Sequence, residues 1–208
     1  MLSGGGDSPA LAGILDSPMA GLLEPHAFVW CIAGPHIGET LTEIVERKRQ
    51  DIQEFGWCLW AYGGRGNVQP ETGVRRLATE DGAEGRLPLL MPNTGKLYPD
   101  NGVTFHSFVV SRAAEAQSIP PGMSPVTGGR SSWAFRIASV EFSEDTVIDV
   151  GRYVAPYSRR GPQPLAEYLK GARGRACAAL GPQPVGVMER RVEVVAELAE
   201  PYAVFLQR

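Results

Sequence analysis

Residues 27–62 read AFVWCIAGPHIGETLTEIVERKRQDIQEFGWCLWAY, and this pattern predicts a strand, a helix and a second strand in that order. The first seven residues form a continuous apolar run that ends at Gly34-Pro35, which is typical of a strand covered on both faces. WCLWAY at 57–62 predicts the second strand, whose alternate side chains face opposite sides of a sheet. We expect the rest of the chain to pack around this unit.

The segment between these strands, residues 37–55, carries apolar side chains on one arc of a helical wheel and charged side chains on the other. Glu39 and Glu43 lie near its start, where the positive end of the helix dipole favours carboxylates. Gly56 follows it and suits the left-handed residue that commonly ends a helix. We therefore predict a helix over residues 37–55.

Outside this unit the sequence predicts mainly strands and loops. Residues 1–25, rich in Gly, Ser and Pro, predict an irregular N-terminal leader ahead of a single domain at 26–208. Residues 63–102 predict a long loop with one short strand at 87–91, and a second loop is expected at 111–130. Further strands are predicted at 103–110, 131–142, 146–150, 185–196 and 202–206, and a second amphipathic helix at 165–180.

This order of elements predicts the α+β class. Two main helices against six or more strands favour a small mixed sheet, strongly bent or closed into a β-barrel and flanked by the helices.

The composition indicates an ordinary globular protein, with 43% hydrophobic and 21% charged residues among 208. A formal net charge of −3 does not support a nucleic-acid partner, although a local basic cluster is compatible with a balanced total. No apolar run reaches the roughly 18 residues of a membrane helix, and the N-terminus lacks a basic signal-peptide start. We expect no membrane association and a cytoplasmic location.

The cysteines are three, Cys31, Cys58 and Cys177, and they lie in apolar runs without paired spacing. Neither a disulfide framework nor a metal site is predicted from them, and no cofactor is expected. The turn at 34–40 lacks the full phosphate-binding glycine patterns, and no nucleophile-elbow or zinc-protease motif is present.

Lys48 is the most informative single residue, because it falls at the centre of the apolar arc of the 37–55 helix. A lysine there must extend to solvent, pair with a carboxylate, or line a cleft. In a cleft, desolvation would lower its pKa and make it a base or an anion ligand. His36 and Glu39 are candidates for an acid–base pair beside it, and Thr40 is a candidate cap or catalytic hydroxyl.

Several other side chains are candidates for ligand binding. Trp60 and Tyr62 share one face of their strand and would serve either as core or as a stacking platform, with Arg65 at its rim. His106 is either a core histidine or a pocket histidine. Arg130 and Ser131 lie where a glycine-rich loop meets a strand and suit a phosphate or carboxylate. Arg173 and Arg175 are interpreted as part of a solvated basic cluster.

The strand–helix–strand unit at 27–62, followed by strands around a long insert, resembles the PUA-like superfamily, and its ASCH and EVE branches in particular. The helix with Lys48 and the strand WAFRIASVEF would take the places of that family's basic helix and a later barrel strand. The usual Gly-Asp before a barrel strand is absent, and Phe55-Gly56-Trp57 stands there instead.

The resemblance implies a cleft between helix and barrel that binds a nucleobase or a nucleotide. Some ASCH-like proteins hydrolyse modified nucleosides through lysine, threonine and glutamate, which here would be Lys48, Thr40 and Glu39 or Glu43.

Three functions follow as hypotheses. The first is a domain that holds a nucleobase, nucleotide or similar planar small molecule between the 37–55 helix and the sheet. The alternative is a small metal-independent hydrolase or group transferase that uses Lys48 or His36 with Glu39. The third is an interaction protein whose long loops contact a partner protein.

Overall fold

The computed structural model describes residues 22–36, 38–62, 70–80, 87–97, 103–111, 113–127, 133–158, 161–170 and 174–208. Within these ranges the chain forms one 11-stranded mixed sheet, a separate two-stranded sheet and three α-helices. The predicted α+β class is confirmed.

The helices are α1 at Leu41–Phe55, α2 at Pro70–Glu80 and α3 at Leu165–Tyr168, and a 3-10 turn spans Val150–Arg152. The strands are β1 Leu22–Leu23, β2 Ala27–Cys31, β3 Cys58–Ala61, β4 Leu87–Met91, β5 Thr104–Phe105, β6 Ser107–Val109, β7 Gln117–Ser118, β8 Val126–Thr127, β9 Trp133–Asp149, β10 Tyr153–Ala155, β11 Gln163–Pro164, β12 Arg175–Leu180 and β13 Glu189–Gln207.

The large sheet has the order β1-β9-β13-β4-β2-β12-β10-β11, with β3 paired to β9 and β6 paired to β13. The pairs β1–β9 and β2–β4 are parallel, and the other pairs are antiparallel. The long β9–β13 pair shifts register at three points, and such irregularities bend strands. The described strands nevertheless leave the sheet open, so the structure does not show the closed form of the predicted barrel.

The helix predicted at 37–55 begins later, at Leu41, because Thr40 is its N-cap. The Thr40 hydroxyl accepts from the Glu43 backbone N–H, and the Glu43 carboxylate accepts from the Thr40 backbone N–H, which together form a capping box. At the other end Gly56 has φ 77°, the left-handed conformation predicted for it.

A second helix, α2, lies inside the segment predicted as a long loop. Its signals are Pro70 at the first helical position, buried Val74, Leu77 and Ala78 at helical spacing, and the Arg76–Glu80 ion pair one turn apart. Gly73 and the glycine-rich sequence before it obscured this pattern.

The helix predicted at 165–180 is wrong over most of its length. Among the described residues of this range, 165–168 alone are helical, and residues 175–180 form β12, which pairs with β2 on one side and β10 on the other. RACAAL is rich in alanine and also holds arginine and leucine, all strong helix formers, so hydrogen bonding to two neighbouring strands overrides its local preference.

The chain termini of the described domain also differ from the prediction. Leu22–Leu23, which belong to the predicted leader, form β1 and pair with Val147 and Ile148 of β9. The two runs predicted to be split at Pro201 belong to one strand, β13. Arg75 donates to the carbonyl oxygens of Pro201 and Ala203 at this irregularity, at 3.3 and 3.2 Å, and so satisfies acceptors that the sheet leaves unpaired.

The alternation predicted for the second aromatic strand is confirmed. Cys58, Trp60 and Tyr62 belong to the largest core cluster, which also holds buried residues of β2, β4, α1 and α2. Leu59 belongs to another cluster, which contains Phe105 and Phe108. β3 therefore separates two parts of the core.

Candidate functional site

A pocket of about 270 Å³ opens between α2, the beginning of β12 and the segment that follows β10. Its apolar lining consists of Val29, Val74, Phe135, Ala155, Ala176 and Cys177. Its polar lining includes Thr72, Arg76, Tyr157, Ser158, Tyr168 and Arg175. An apolar cavity with a few polar groups around it is the usual form of a small-molecule site.

The register of β12 decides which of its side chains line this pocket. Arg175 lies opposite Cys31 and Cys177 lies opposite Val29 of β2, so the two side chains share one face of the sheet. A Cβ at Gly73 of α2 would lie 3.5 Å from the Cys177 sulfur and 3.5 Å from the Tyr157 ring, which is ordinary van der Waals contact. An alanine therefore fits at this position, whereas a longer side chain would extend into the space beside Cys177 and Tyr157.

Arg175 is held in place by aromatic rings. Its guanidinium carbon lies 4.8 Å from the centroid of the Tyr62 ring, and Tyr62 stacks on Phe135 with centroids 4.2 Å apart at 25°. Within the described ranges no carboxylate forms an ion pair with Arg175. A guanidinium stacked on a ring keeps its N–H groups in the plane, where they can still donate to an anion.

Arg76 differs from Arg175 because a carboxylate neutralises it. Its Nε donates to Glu80 at 2.7 Å, and its guanidinium lies 4.9 Å from the Tyr157 ring centroid. Tyr157 donates its hydroxyl to the same carboxylate at 3.2 Å. These hydrogen bonds, above all the one from Arg76, lower the pKa of Glu80 below its ordinary value. The side chains of Arg76, Glu80 and Tyr157 together carry no net charge.

Cys177 is an uncharged part of the pocket lining. Burial raises the pKa of its thiol to about 12, so that the sulfur is protonated at neutral pH. Because the thiolate is the reactive form, this cysteine is an apolar contact for a ligand rather than a nucleophile.

Lys48 of α1 lies outside the pocket lining, in a network with Asp51 and Ser124. It is only 6% exposed, and its Nζ is 3.4 Å from Asp51 Oδ2. The other carboxylate oxygen of Asp51 accepts from the backbone N–H and the hydroxyl of Ser124, both at 2.8 Å. Burial lowers the pKa of Lys48. Of the three predicted environments, the structure shows pairing with a carboxylate.

The other predicted catalytic residues lie together just before α1. The backbones of His36 and Glu39 are joined by two hydrogen bonds of 3.0 Å, so the two residues are neighbours as expected. The Glu39 carboxylate accepts from two nitrogens of Arg47, both at 2.8 Å, and this hydrogen bonding lowers its pKa. Thr40 caps the helix. Glu39 and Thr40 therefore already have structural partners.

The predicted ligand-binding residues are scattered. Trp60 and Tyr62 are 8% and 3% exposed, so neither offers an open stacking face, but Tyr62 adjoins the pocket through Arg175 and Phe135. His106 is exposed rather than in the core, and its backbone N–H donates to Gln207. Arg65, Arg130 and Ser131 lie outside the described residues.

Sequence reasoning missed most of the pocket, and the reason is the two incorrectly predicted segments. Arg175 was assigned to a helix and to a solvated basic cluster, and α2 was assigned to a loop. The i, i+3, i+4 spacing of Val74, Leu77 and Ala78 was the signal that would have revealed α2.

No group of three or more histidine, cysteine, aspartate or glutamate side chains in the described ranges is arranged to hold a metal ion. None of the described helices combines the length and apolar character that a membrane crossing needs. No protein-family model, curated protein or solved structure matches this chain. The resemblance to the PUA-like superfamily accordingly stays a prediction.

Proposed function

We propose that this protein binds a small molecule with a planar ring in the pocket between α2 and β12. The observation that carries the proposal is a cavity of about 270 Å³ whose lining combines apolar side chains with a few polar ones. This volume is just below the range of roughly 300–1,000 Å³ that is typical of drug-sized ligands, so the occupant is a small one.

The proposal keeps the class of ligand expected from the sequence, a nucleobase, nucleotide or similar planar molecule, but changes its position. The expected cleft between the 37–55 helix and the sheet contains the buried Lys48–Asp51 pair, whose charges already compensate each other. The pocket at α2 instead presents Arg175 beside apolar surface. A relation to the PUA-like superfamily, with its bent or closed barrel, is retained here as a proposal only.

The enzymatic alternative has weaker support. It requires Glu39 as a base, whereas Arg47 engages both oxygens of that carboxylate and lowers its pKa. It also assigns a role to Lys48, which faces Asp51 in the interior.

Two variants at Gly73 test the proposed site. In Gly73→Leu, the side chain beyond Cβ is directed toward Cys177 and Tyr157 and fills part of the cavity. In Gly73→Ala, the added methyl group makes ordinary contacts and favours the helix, so it serves as the matched control.

The probes are indole and adenine, two neutral rings, with binding measured by chemical-shift titration of the full chain. We expect at least one ring to bind the wild type and Gly73→Ala at millimolar concentration and not to bind Gly73→Leu. Equal binding to all three proteins would show that the ring binds outside this pocket. No binding to the wild type would overturn the proposal.

A further inference from the structure

We propose that the ligand of this pocket is a monoanion, a small planar or apolar ring bearing one carboxylate, and that Arg175 holds the carboxylate. The inference rests on the proposed function, because it assigns the chemical class of the ligand for that same site. Its basis is the difference in charge between the two arginines of the lining.

Arg76 brings no net charge to the pocket. Its partner Glu80 lies 2.7 Å away, and Tyr157 closes the group by donating to that carboxylate. Arg175, by contrast, has no carboxylate partner in the part of the chain that the structure describes, and its guanidinium lies over the Tyr62 ring. The described lining therefore carries one uncompensated positive charge.

The apolar surroundings make this charge specific for an anion. Val29, Phe135 and Cys177 lie in the same lining, and a polar group among apolar atoms gains more from a hydrogen bond than it does in water. Arg175 is partly buried, so that a bound ligand would cover the rest of its guanidinium. One positive charge is balanced by one negative charge, which favours a carboxylate over a phosphate monoester with nearly two charges.

The geometry of Arg175 favours the carboxylate for a second reason. The guanidinium carbon of Arg175 lies over the Tyr62 ring, and Tyr62 itself stacks on Phe135, so this contact limits the positions that the guanidinium can take. A guanidinium with restricted mobility can form two parallel N–H···O bonds to a planar carboxylate at a reduced entropic cost. A lysine would supply the positive charge but not the two parallel N–H donors.

The test compares three ligands that share one ring: indole-3-carboxylate, its neutral carboxamide and indoxyl phosphate. Binding to the wild-type chain is measured by chemical-shift titration at low salt. We expect the carboxylate to bind roughly 10- to 100-fold more tightly than the carboxamide, as is typical of hydrogen bonds to charged groups. We expect indoxyl phosphate to exceed the affinity of the carboxamide by a smaller factor than indole-3-carboxylate does.

Two variants test whether Arg175 causes the preference for the carboxylate over the carboxamide. Arg175→Met should bind carboxylate and carboxamide equally, and Arg175→Lys should retain only part of the preference. Binding of the carboxamide to Arg175→Met shows that the pocket remains folded. Arg190→Met, at an exposed arginine outside the pocket lining, is the matched control, and it should keep the preference.

The outcomes separate this inference from the proposed function. If the carboxamide binds as tightly as the carboxylate, and Gly73→Leu blocks both, the pocket is a ligand site but the anion inference is wrong. A phosphate that binds more tightly than the carboxylate also overturns the monoanion assignment. If none of the three compounds binds at millimolar concentration, both proposals fail.

Discussion

Two cations, Lys48 on α1 and Arg175 at the start of β12, differ in their surroundings. Lys48 is buried against Asp51, and Asp51 is in turn held by Ser124, so the charge is neutralised within the fold. Arg175 lies beside a cavity and stacks on Tyr62 without a carboxylate partner among the described residues. A compensated buried charge contributes to the scaffold, whereas an uncompensated charge beside a cavity is available to a ligand.

The difference corrects an intuitive expectation. A lysine on the apolar arc of a helix draws attention in the sequence, because its local environment is unusual. An arginine at the start of a strand of small residues does not. The second nevertheless meets the physical requirements of a binding site better, since partners rather than position on a helix decide whether a charge is available.

The largest effect is expected on the Lys48 side. Asp51→Ala leaves Lys48 buried without a counter-charge and removes the acceptor of two Ser124 hydrogen bonds. Removing one partner of a buried pair costs about 3–5 kcal/mol of unfolding free energy. Urea unfolding followed by circular dichroism measures it.

The control for this prediction is the double variant Lys48→Met with Asp51→Leu. It replaces both charges by apolar groups and should recover much of the stability lost in Asp51→Ala. A loss below about 1 kcal/mol in Asp51→Ala, small beside the expected range, would show that Lys48 is not compensated by Asp51.

Each of the two cations has a buried cysteine thiol nearby, and these thiols make the stability of the fold depend on pH. Burial raises the pKa of Cys58, near Lys48, and of Cys31, near Arg175, from 9.0 to about 12. Above pH 9 the unfolded thiols lose protons that the folded protein retains, so stability is present below pH 9 and is lost as pH rises toward 12.

Each thiol should add a slope of about −1.4 kcal/mol per pH unit in this window. Cys31→Ala and Cys58→Ala should each make the pH dependence of urea unfolding less steep by that amount. Lys48 acts in the opposite direction, because burial lowers its pKa and its unfolded form binds the proton more readily. An unchanged slope in both cysteine variants would contradict this assignment.

The smallest effect on stability is expected at Arg175. Arg175→Met removes the contact with Tyr62, which is worth about 0.5–1 kcal/mol at a partly exposed site. In urea unfolding, the free energy of unfolding of Arg175→Met should therefore be much closer to the wild-type value than that of Asp51→Ala is. A loss as large as that of Asp51→Ala would make Arg175 a structural residue and would remove the contrast between the two cations.

The sequence predicted best where local pattern and tertiary packing agree. α1 has a strong helical period, the Thr40–Glu43 capping box and a terminal glycine, and its end at Gly56 was predicted correctly. β2 and β3 were found from apolar runs and alternation, which the burial of Val29, Cys58 and Trp60 reproduces. The sequence placed Lys48 on the apolar arc of this helix but left its surroundings open, and the structure shows it buried beside Asp51.

The sequence predicted worst where tertiary packing overrides local preference. Residues 175–180 are mostly strong helix formers, yet they lie between β2 and β10 as a strand of the sheet. α2 contains Gly73, which lowers its local helix preference by about 1 kcal/mol relative to alanine, and packing of Val74 and Leu77 compensates for it.

The sequence by itself therefore determined the α+β class and the strand–helix–strand unit at 27–62, because short-range periodicity and capping specify those elements. Only the tertiary structure decided the position of the pocket. Its lining joins residues as distant along the chain as Val29, Gly73 and Arg175, and their proximity depends on strand pairing between segments far apart in sequence. Which cation has a partner is likewise a property of that long-range packing.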